Sequence, residues 1–385
     1  MHIKRFNTYF KVMLTEQIST ELILFLILYG ITGVVPAIAA VYLLLRRGNA
    51  FAPDVTPPVR LRRWAAAFFA VSALAHVWWL LFSLYSGDWN SVTCLLLAML
   101  DCVLLFTTFA GMLLAMLQDR RRSVWPFLVA MIPFVLLMGV YMVYRSTLLI
   151  QIIAAYLLLL GLVFTLYMVF AISRYGRWLN DNYADLENKK VWLCQVVALV
   201  SMLLFVLYVL STDMVLIWII HIVGLVLVGL LLWRVETLPE LVDTIAVEET
   251  CTPPAQETSQ PSPLTSKPFN LPSNIEQQLQ EHCLDTKLYL QHDLTLQQLA
   301  LAIGTNRSYL SQYFSCKGIT YNAYINDLRI QYFISRYQEV AAAGQPIVAQ
   351  QLANESGYHS YSTFSLAFKQ RMGQSVTAWM HDTAK

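Results

Sequence analysis

The stretch DLTLQQLALAIGTNRSYLSQYF (residues 293–314) contains the pattern of two short helices joined by a tight turn. Thr295 and Gln298 have the spacing of a capping box, which marks the start of a helix. Gly304 ends that helix, and Leu310 and Phe314 mark the buried side of the next one. The outer side of the second helix carries small polar residues at helical spacing: Ser308, Ser311, Gln312 and Ser315. This pattern is typical of a helix-turn-helix unit, although helical hairpins of other kinds are also common.

A second unit of the same kind lies nearer the C-terminus. Gly357 supplies the turn, Ser360 is the expected N-cap, and Phe364 and Phe368 are expected to point inward. The outward positions are Ser362, Thr363, Leu366 and Lys369. Between the units the pattern predicts a helix over about residues 320–342, roughly 30–34 Å long. This length is close to one turn of B-DNA, ~34 Å, so a rod of this kind would place two recognition helices in successive major grooves of double-stranded DNA.

The C-terminal part of the chain closely resembles the AraC-type (AraC/XylS) family of bacterial transcription regulators. The resemblance rests on residues 293–314, on YINDLRI (residues 324–330) and on SGYHSYSTFSLAFKQRMGQSVTAW (residues 356–379). It implies an all-α DNA-binding domain of seven helices in two subdomains, over residues 271–385, that activates or represses promoters. The resemblance does not extend to the rest of the chain.

The resemblance also implies which side chains touch DNA. The family's base-reading positions correspond here to Ser308, Ser311 and Gln312 in the first unit and to Ser362, Thr363 and Leu366 in the second. Glutamine pairs with adenine edges, serine with several bases, and an apolar side chain with the thymine methyl. The expected phosphate contacts, which position the protein without specifying sequence, are Arg307, Arg329, Lys369 and Arg371. Leu366 departs from the long polar side chain of many relatives, so the second unit is expected to read few bases.

The electrostatics of this domain are modest. Residues 271–385 carry no net charge, because Lys and Arg equal Asp and Glu in number. Weak attraction to phosphate predicts weak non-specific binding, so a homodimer or a tandem site is favoured. RNA polymerase is a further expected partner if the protein is an activator.

Residues 235–270 change character and predict a linker. They are acidic, with a net charge of −5, and the part CTPPAQETSQPSPLTSKP is rich in Pro, Ser, Thr and Gln. Such a composition cannot bury a core, so we expect a flexible tether.

The first part of the chain has the composition of a membrane protein. Overall, 57% of residues are hydrophobic and only 13% are charged, about half the charge of a typical soluble domain. After an N-terminal tail (residues 1–21), seven apolar runs within residues 22–234 are long enough to cross a bilayer as helices. They are residues 22–45, 64–85, 92–117, 125–144, 147–172, 191–210 and 214–233. The sequence therefore predicts a seven-helix transmembrane bundle followed by a soluble all-α domain.

The distribution of Lys and Arg predicts the orientation of this bundle. Basic residues concentrate in loops 46–63, 118–124 and 173–190, whereas the alternate loops contain only Arg145. Basic loops face the cytoplasm, so the C-terminal domain is expected to be cytoplasmic and the N-terminus outside, in a bacterial inner membrane. Lys4, Arg5 and Lys11 in the tail favour the opposite orientation.

Three ionisable residues lie within predicted spans: His76, Asp101 and His221. All three are expected roughly 10–14 Å below the outer surface. Intramembrane ionisable residues face one another or a cavity, so the trio is a candidate site for sensing a small ligand, a proton or a metal. The alternative is a structural pair that fixes helix packing. The six cysteines lack the spacing of a metal site or a disulfide framework, and no cofactor or catalytic residue is predicted.

These observations together predict a membrane-anchored one-component transcription regulator that senses an unknown small signal and is not an enzyme. Signal transfer by dimer rearrangement and by proteolytic release at the linker both stay open. One alternative is a membrane receptor or transporter whose helical tail binds a protein partner. A second is an intramembrane enzyme built on the trio.

Overall fold

The computed structural model of the chain describes residues 20–85, 91–186, 189–210, 214–241 and 275–383. The described residues form helices and no strand, which confirms the predicted all-α class. The chain divides into two compact units. The first comprises the described residues of Met1–Tyr175 and Val191–Val242, and the second those of Gly176–Lys190 and Asp243–Lys385. Most of the N-terminal tail and most of the predicted linker lie outside the described residues.

Eight helices of the described residues lie wholly or mostly in the first unit. They are α1 (Thr20–Leu45), α2 (Val59–Tyr85), α3 (Val92–Ala115), α4 (Trp125–Ala130), α5 (Ile132–Tyr144), α6 (Thr147–Asn182), α7 (Trp192–Leu210) and α8 (Met214–Thr237). Many of their apolar side chains are exposed, such as Leu45 at 75% and Val143 at 75%. A face of this kind is expected where a helix meets lipid rather than water.

Six of these helical segments are long and apolar enough to cross a membrane. The predicted run 125–144 is one of them, but it is divided at Met131, just before Pro133 at the start of α5. A proline lacks the N–H that would continue the helix, which explains the break. The predicted run 191–210 forms α7, whose described apolar part, Trp192–Leu204, is shorter than the other six. The predicted count of seven is therefore not confirmed.

Residues 235–241, which the sequence assigns to the linker, pack within the first unit. Leu238 is fully buried, and the carboxylate of Glu236 forms an ion pair of 3.2 Å with Arg46. Gln118 donates a hydrogen bond to the carbonyl of Pro239 and accepts one from the backbone of Leu241. Residues 235–241 thus continue the packed structure past the end of the predicted span. Their apolar and hydrogen-bonded contacts hold this segment against other parts of the first unit.

The second unit contains the remaining helices. They are α9 (Ile275–Leu279), which continues as one wider turn (Gln280–Leu284), a 3₁₀ turn (Leu288–Leu290), α10 (Leu296–Ala302), α11 (Arg307–Cys316), α12 (Tyr321–Ala342), α13 (Ala349–Glu355), α14 (Tyr361–Met372) and α15 (Val376–Thr383). Two hydrophobic clusters hold this unit together. One surrounds Leu299, Leu310 and Ile325, and the other surrounds Phe333 and Phe364. Because Ile325 and Phe333 both lie on α12, that helix is shared by two subdomains.

Residues 176–190 also belong to the second unit, although the sequence places them in a loop of the membrane block. Ala184 is 2% exposed and is part of the first hydrophobic cluster. Its backbone N–H donates to the carbonyl of Leu294 (3.2 Å), and Tyr183 pairs with Thr295 as an isolated antiparallel bridge. This segment therefore packs against the first subdomain.

Candidate DNA interface

The first helix-turn-helix unit is built by α10, α11 and the turn between them. The predicted capping box is confirmed: Thr295 accepts from the backbone of Gln298, and the Gln298 side chain accepts from the backbone of Thr295. Gly304 has φ +72° and ends α10 in the left-handed conformation that glycine adopts without strain. Asn306 then caps α11 by accepting from the backbone of Tyr309 at 2.8 Å.

The second unit repeats this construction with α13 and α14. Gly357 has φ +88°, and a Cβ atom there would lie 2.7 Å from the carbonyl oxygen of Leu290 and 3.0 Å from Nε of Arg329. Only glycine allows this close approach. Ser360 caps α14 by accepting from the backbone of Thr363, as predicted. The two units are joined by α12, whose 22 residues give a rod of about 33 Å.

The predicted base-reading side chains lie on the outer faces of α11 and α14. The inward positions are buried, as expected: Leu310 and Phe364 are both 0% exposed. Leu366 is 54% exposed. The other five outward positions are exposed or half-exposed: Ser308, Ser311, Gln312, Ser362 and Thr363. The hydroxyls of Ser362 and Thr363 lie 2.9 and 3.1 Å from Oγ of Ser360, so both are held by the helix cap.

Three of the predicted phosphate contacts lie at the ends of these helices. Arg307 is the first residue of α11, and its Nε donates to Oδ1 of Asn182 at 2.8 Å. Lys369 is exposed in the last turn of α14. Arg371 lies beside it and forms an ion pair with Asp327 of α12. The structure thus leaves Lys369 open to solvent while Arg307 and Arg371 are engaged within the domain.

Arg329 has a different place from the predicted phosphate contact. It is 1% exposed, and its guanidinium donates to the carbonyls of Tyr289 and Gln291, both at 2.7 Å. The guanidinium carbon also lies 5.4 Å from the ring centre of Tyr358. Burial lowers the pKa of Arg329, with Tyr358 acting in the opposite direction. A side chain this deeply buried cannot reach DNA, and it instead connects α12 to both subdomains.

An acidic and basic cluster that the sequence did not predict surrounds Asp293. One carboxylate oxygen of Asp293 bonds to Lys189 at 2.9 Å, and the other lies 2.8 Å from Nε2 of His359. Burial alone would raise the pKa of Asp293, but the hydrogen bonds and charges of Lys189 and His359 hold it below its usual value. Asp185, Asp293 and His359 also have the residue types and spacing of a metal site. The ammonium of Lys189 already supplies a positive charge there.

The predicted intramembrane trio is brought together only in part. The ring centres of His76 and His221 are 6.2 Å apart, and Tyr29 contacts both. Each histidine bonds through Nδ1 to a carbonyl of its own helix, at 2.8 Å. Because a carbonyl only accepts, Nδ1 carries the proton and Nε2 of the neutral ring is left as an acceptor. Asp101 instead accepts from Nε1 of Trp79 at 3.1 Å.

His76 and His221 line a cavity of about 260 Å³ within the first unit. Its walls are mostly apolar, with the hydroxyls of Thr32, Ser72 and Ser201 as further polar groups. Among the described residues, Asp101 is not part of this lining. The cavity therefore combines an apolar wall with a few polar groups, as small-molecule sites commonly do.

One family model matches the chain, a helix-turn-helix domain, and it covers residues 286–382. Searches of curated proteins and of solved structures found no match. The matched range runs from the turn before Leu288 to the end of α15 and includes both helix-turn-helix units. The helix caps and glycine turns agree with this match: residues 286–382 form a helix-turn-helix domain, and their similarity to the AraC type supports a DNA-binding regulator domain.

Proposed function

We propose that the chain is a membrane-anchored transcription regulator that binds promoter DNA in a sequence-specific way. The observation that carries this proposal is the joining, in one chain, of two helix-turn-helix units with six long apolar helices. The distance between the units supports it, because a rod of about 33 Å matches the spacing of successive major grooves.

The two recognition helices have different parts in this proposal. Ser308, Ser311 and Gln312 read base edges from α11, with the amide of Gln312 suited to adenine. On α14, Ser362 and Thr363 contact bases or water, and Leu366 contacts a thymine methyl group. The 54% exposure of Leu366 leaves its side chain accessible for this contact, and covering apolar surface is favourable. Arg307, Lys369 and Arg371 bind phosphates, and Arg329 is excluded because it is buried.

The net electrostatic attraction of the domain is small, which bears on its oligomeric state. Arg371 is paired with Asp327, and Arg336 with Glu339 and Glu355. Each ion pair neutralises a positive charge that would otherwise bind a phosphate and release a counterion from DNA. We therefore infer that stable occupancy needs a homodimer or a tandem site, and that an activating complex also contacts RNA polymerase.

We assign sensing to the membrane region, with seven spans that include α7. The N-terminus lies outside and the helix-turn-helix domain in the cytoplasm of a bacterial inner membrane. The signal is a small molecule or a proton that enters the cavity at His76 and His221, where each Nε2 is available as an acceptor. Asp101, half-buried and bonded to Trp79, fixes the packing of α2 on α3 beside it.

The decisive experiment is mapping of DNA bound to the full-length protein in cells, combined with fractionation. We expect crosslinking and immunoprecipitation to recover a small set of promoters while the intact chain stays in the membrane fraction. Recovery only of a soluble fragment would replace action at the membrane by proteolytic release. If no DNA is enriched and a protein partner is captured instead, the chain is a receptor or transporter with a protein-binding tail.

Three variants test the base-reading and phosphate-binding roles separately in this mapping experiment. Gln312→Ala and Leu366→Ala change base-reading positions only, so we expect them to redistribute the bound promoters. Lys369→Ala changes a phosphate contact and is expected to weaken all sites alike. A uniform loss for all three variants would contradict the assignment of base readers.

A further inference from the structure

Residues 176–190 carry more contacts than a simple loop between helices needs. The side-chain amide of Asn322, on α12, donates to the carbonyls of Ala184 (2.6 Å) and Tyr183 (3.2 Å). Lys189 forms its ion pair with Asp293 at 2.9 Å, and Asn182 accepts from Arg307. These contacts join residues 104 to 139 positions apart in sequence. The segment therefore has a specific binding surface on the first subdomain.

That surface includes a group needed for DNA. Arg307 begins the first recognition helix, where its guanidinium and the N-terminal end of α11 face a phosphate in the proposed complex. In the structure Nε of Arg307 is bonded to Asn182. Asn182 is 6% exposed, and its own Nδ2 donates to the carbonyl of Trp178 at 2.7 Å, which fixes its Oδ1 toward the arginine. A phosphate that binds through Nε of Arg307 must replace Asn182.

We propose that residues 176–190 are an intramolecular latch whose docking on the first helix-turn-helix unit excludes DNA. In the latched state Nε of Arg307, the first residue of α11, is occupied by Asn182. In the released state the same groups are open to a DNA backbone. The latch regulates the proposed DNA-binding site, so this inference rests on the proposed function.

The place of the latch in the chain links it to the membrane region. Asn182 is the last residue of α6, and the earlier part of this helix is an apolar candidate span. The docked surface is small and mostly polar, with Tyr183 and Ala184 as its buried apolar contribution. A displacement or rotation of α6 therefore acts on the latch through a continuous helix and shifts the balance between the latched and released states. Cleavage of the linker would leave the latch on the membrane fragment and free the DNA-binding fragment.

The first test measures whether DNA and the docked segment compete. Full-length protein in lipid nanodiscs is mixed with a mixed-sequence duplex of about 30 base pairs at about 50 mM salt, and hydrogen exchange is followed by mass spectrometry. In the latched state the amide of Ala184 is protected by its bond to Leu294. We expect this protection to fall when duplex is added. Unchanged or increased protection in the DNA-bound protein would overturn the proposal.

The second test opens the latch by mutation. Asn322→Ala removes two bonds that hold the segment, which shifts the docking equilibrium by about tenfold. We expect duplex affinity to rise about fivefold or more, and Asn182→Ala to have an effect in the same direction. Gln277→Ala is the control. The side-chain amide of Gln277 donates to the carboxylate of Glu281, four residues later, and not to the latch.

The outcomes of these tests separate the latch from the function beneath it. If the wild-type protein binds duplex and neither latch variant binds more tightly, the segment does not inhibit and the latch fails alone. If Asn322→Ala binds duplex more weakly, the segment supports DNA binding, which also overturns the latch. If wild type and both variants all fail to bind duplex, the proposed DNA-binding function fails and the latch with it.

Discussion

Replacement of Arg329 gives the sharpest test of the buried anchor. Arg329→Ala removes two charge-assisted hydrogen bonds, to the carbonyls of Tyr289 and Gln291, each worth about 1.5–3 kcal/mol. It also leaves both carbonyls without these partners, which destabilises the fold. In the opposite direction, the variant avoids the cost of removing an arginine from water on folding. A buried carbonyl that loses its hydrogen-bond partner costs about 1–3 kcal/mol, so we expect the two together to lower the free energy of unfolding of the second unit by about 2–5 kcal/mol.

The assay must separate this role from the phosphate contact that the sequence predicts. Urea titration of full-length protein, with hydrogen exchange of α12 as the signal, gives the stability of the second unit. Arg336→Ala is the matched control, because its ion pairs with Glu339 and Glu355 lie at the surface and such pairs contribute little to stability. Arg329→Lys keeps the charge without the planar fork and should lose an intermediate amount. Unchanged stability together with a salt dependence reduced by about one phosphate contact would refute the anchor and restore the phosphate role.

Three further predictions concern the same domain. Gly357→Ala should destabilise it by about 2–4 kcal/mol in urea titration, because the new Cβ meets backbone, whereas Gly304→Ala, with open space around it, should cost about 1 kcal/mol. Gln312→Ala should change sequence preference in a binding-site selection experiment and leave the salt dependence of affinity unchanged, and Lys369→Ala should do the opposite. Because the folded pKa of Asp293 is depressed, its contribution to stability is present above pH ~4 and is lost below it. The protection of the amides of residues 180–186, taken relative to their intrinsic exchange rate at each pH, should therefore decrease below pH ~4, and Asp293→Asn should abolish that pH dependence.

The fold of the C-terminal domain was accessible from sequence because its signals are local. The capping box at Thr295, the glycine turns at Gly304 and Gly357, and the buried positions of α11 and α14 are each defined within a few residues of chain. Short-range spacing of this kind fixes helix boundaries and faces without knowledge of distant partners. The class of the N-terminal region was accessible for a similar reason, since length and apolarity alone identify candidate spans.

The candidate site was less accessible, because side-chain roles depend on distant partners. Nothing in the spacing of Arg329 distinguishes a surface arginine from a buried one, since its acceptors lie about 40 residues away. The docking of residues 176–190 was invisible for the same reason. Its polar sequence is ordinary for a cytoplasmic loop, and only the folded domain provides Asn322, Leu294 and Asp293 as partners. Asp101 was grouped with two histidines by depth in the membrane, a measure that does not specify which way a side chain faces.

The second unit is built from two separate stretches of the chain, which affects the order in which its parts can meet during synthesis. Residues 176–190 leave the ribosome well before their partners, which follow 104 to 139 residues later. At about 5–20 residues per second, the segment waits roughly 5–30 s for Asp293, Arg307 and Asn322 to emerge, and α7 and α8 are synthesised in that interval. The nascent helix-turn-helix domain therefore meets residues 176–190 only after α7 and α8 have been made, so misplacement of these two helices would leave the docking surface of the domain uncovered.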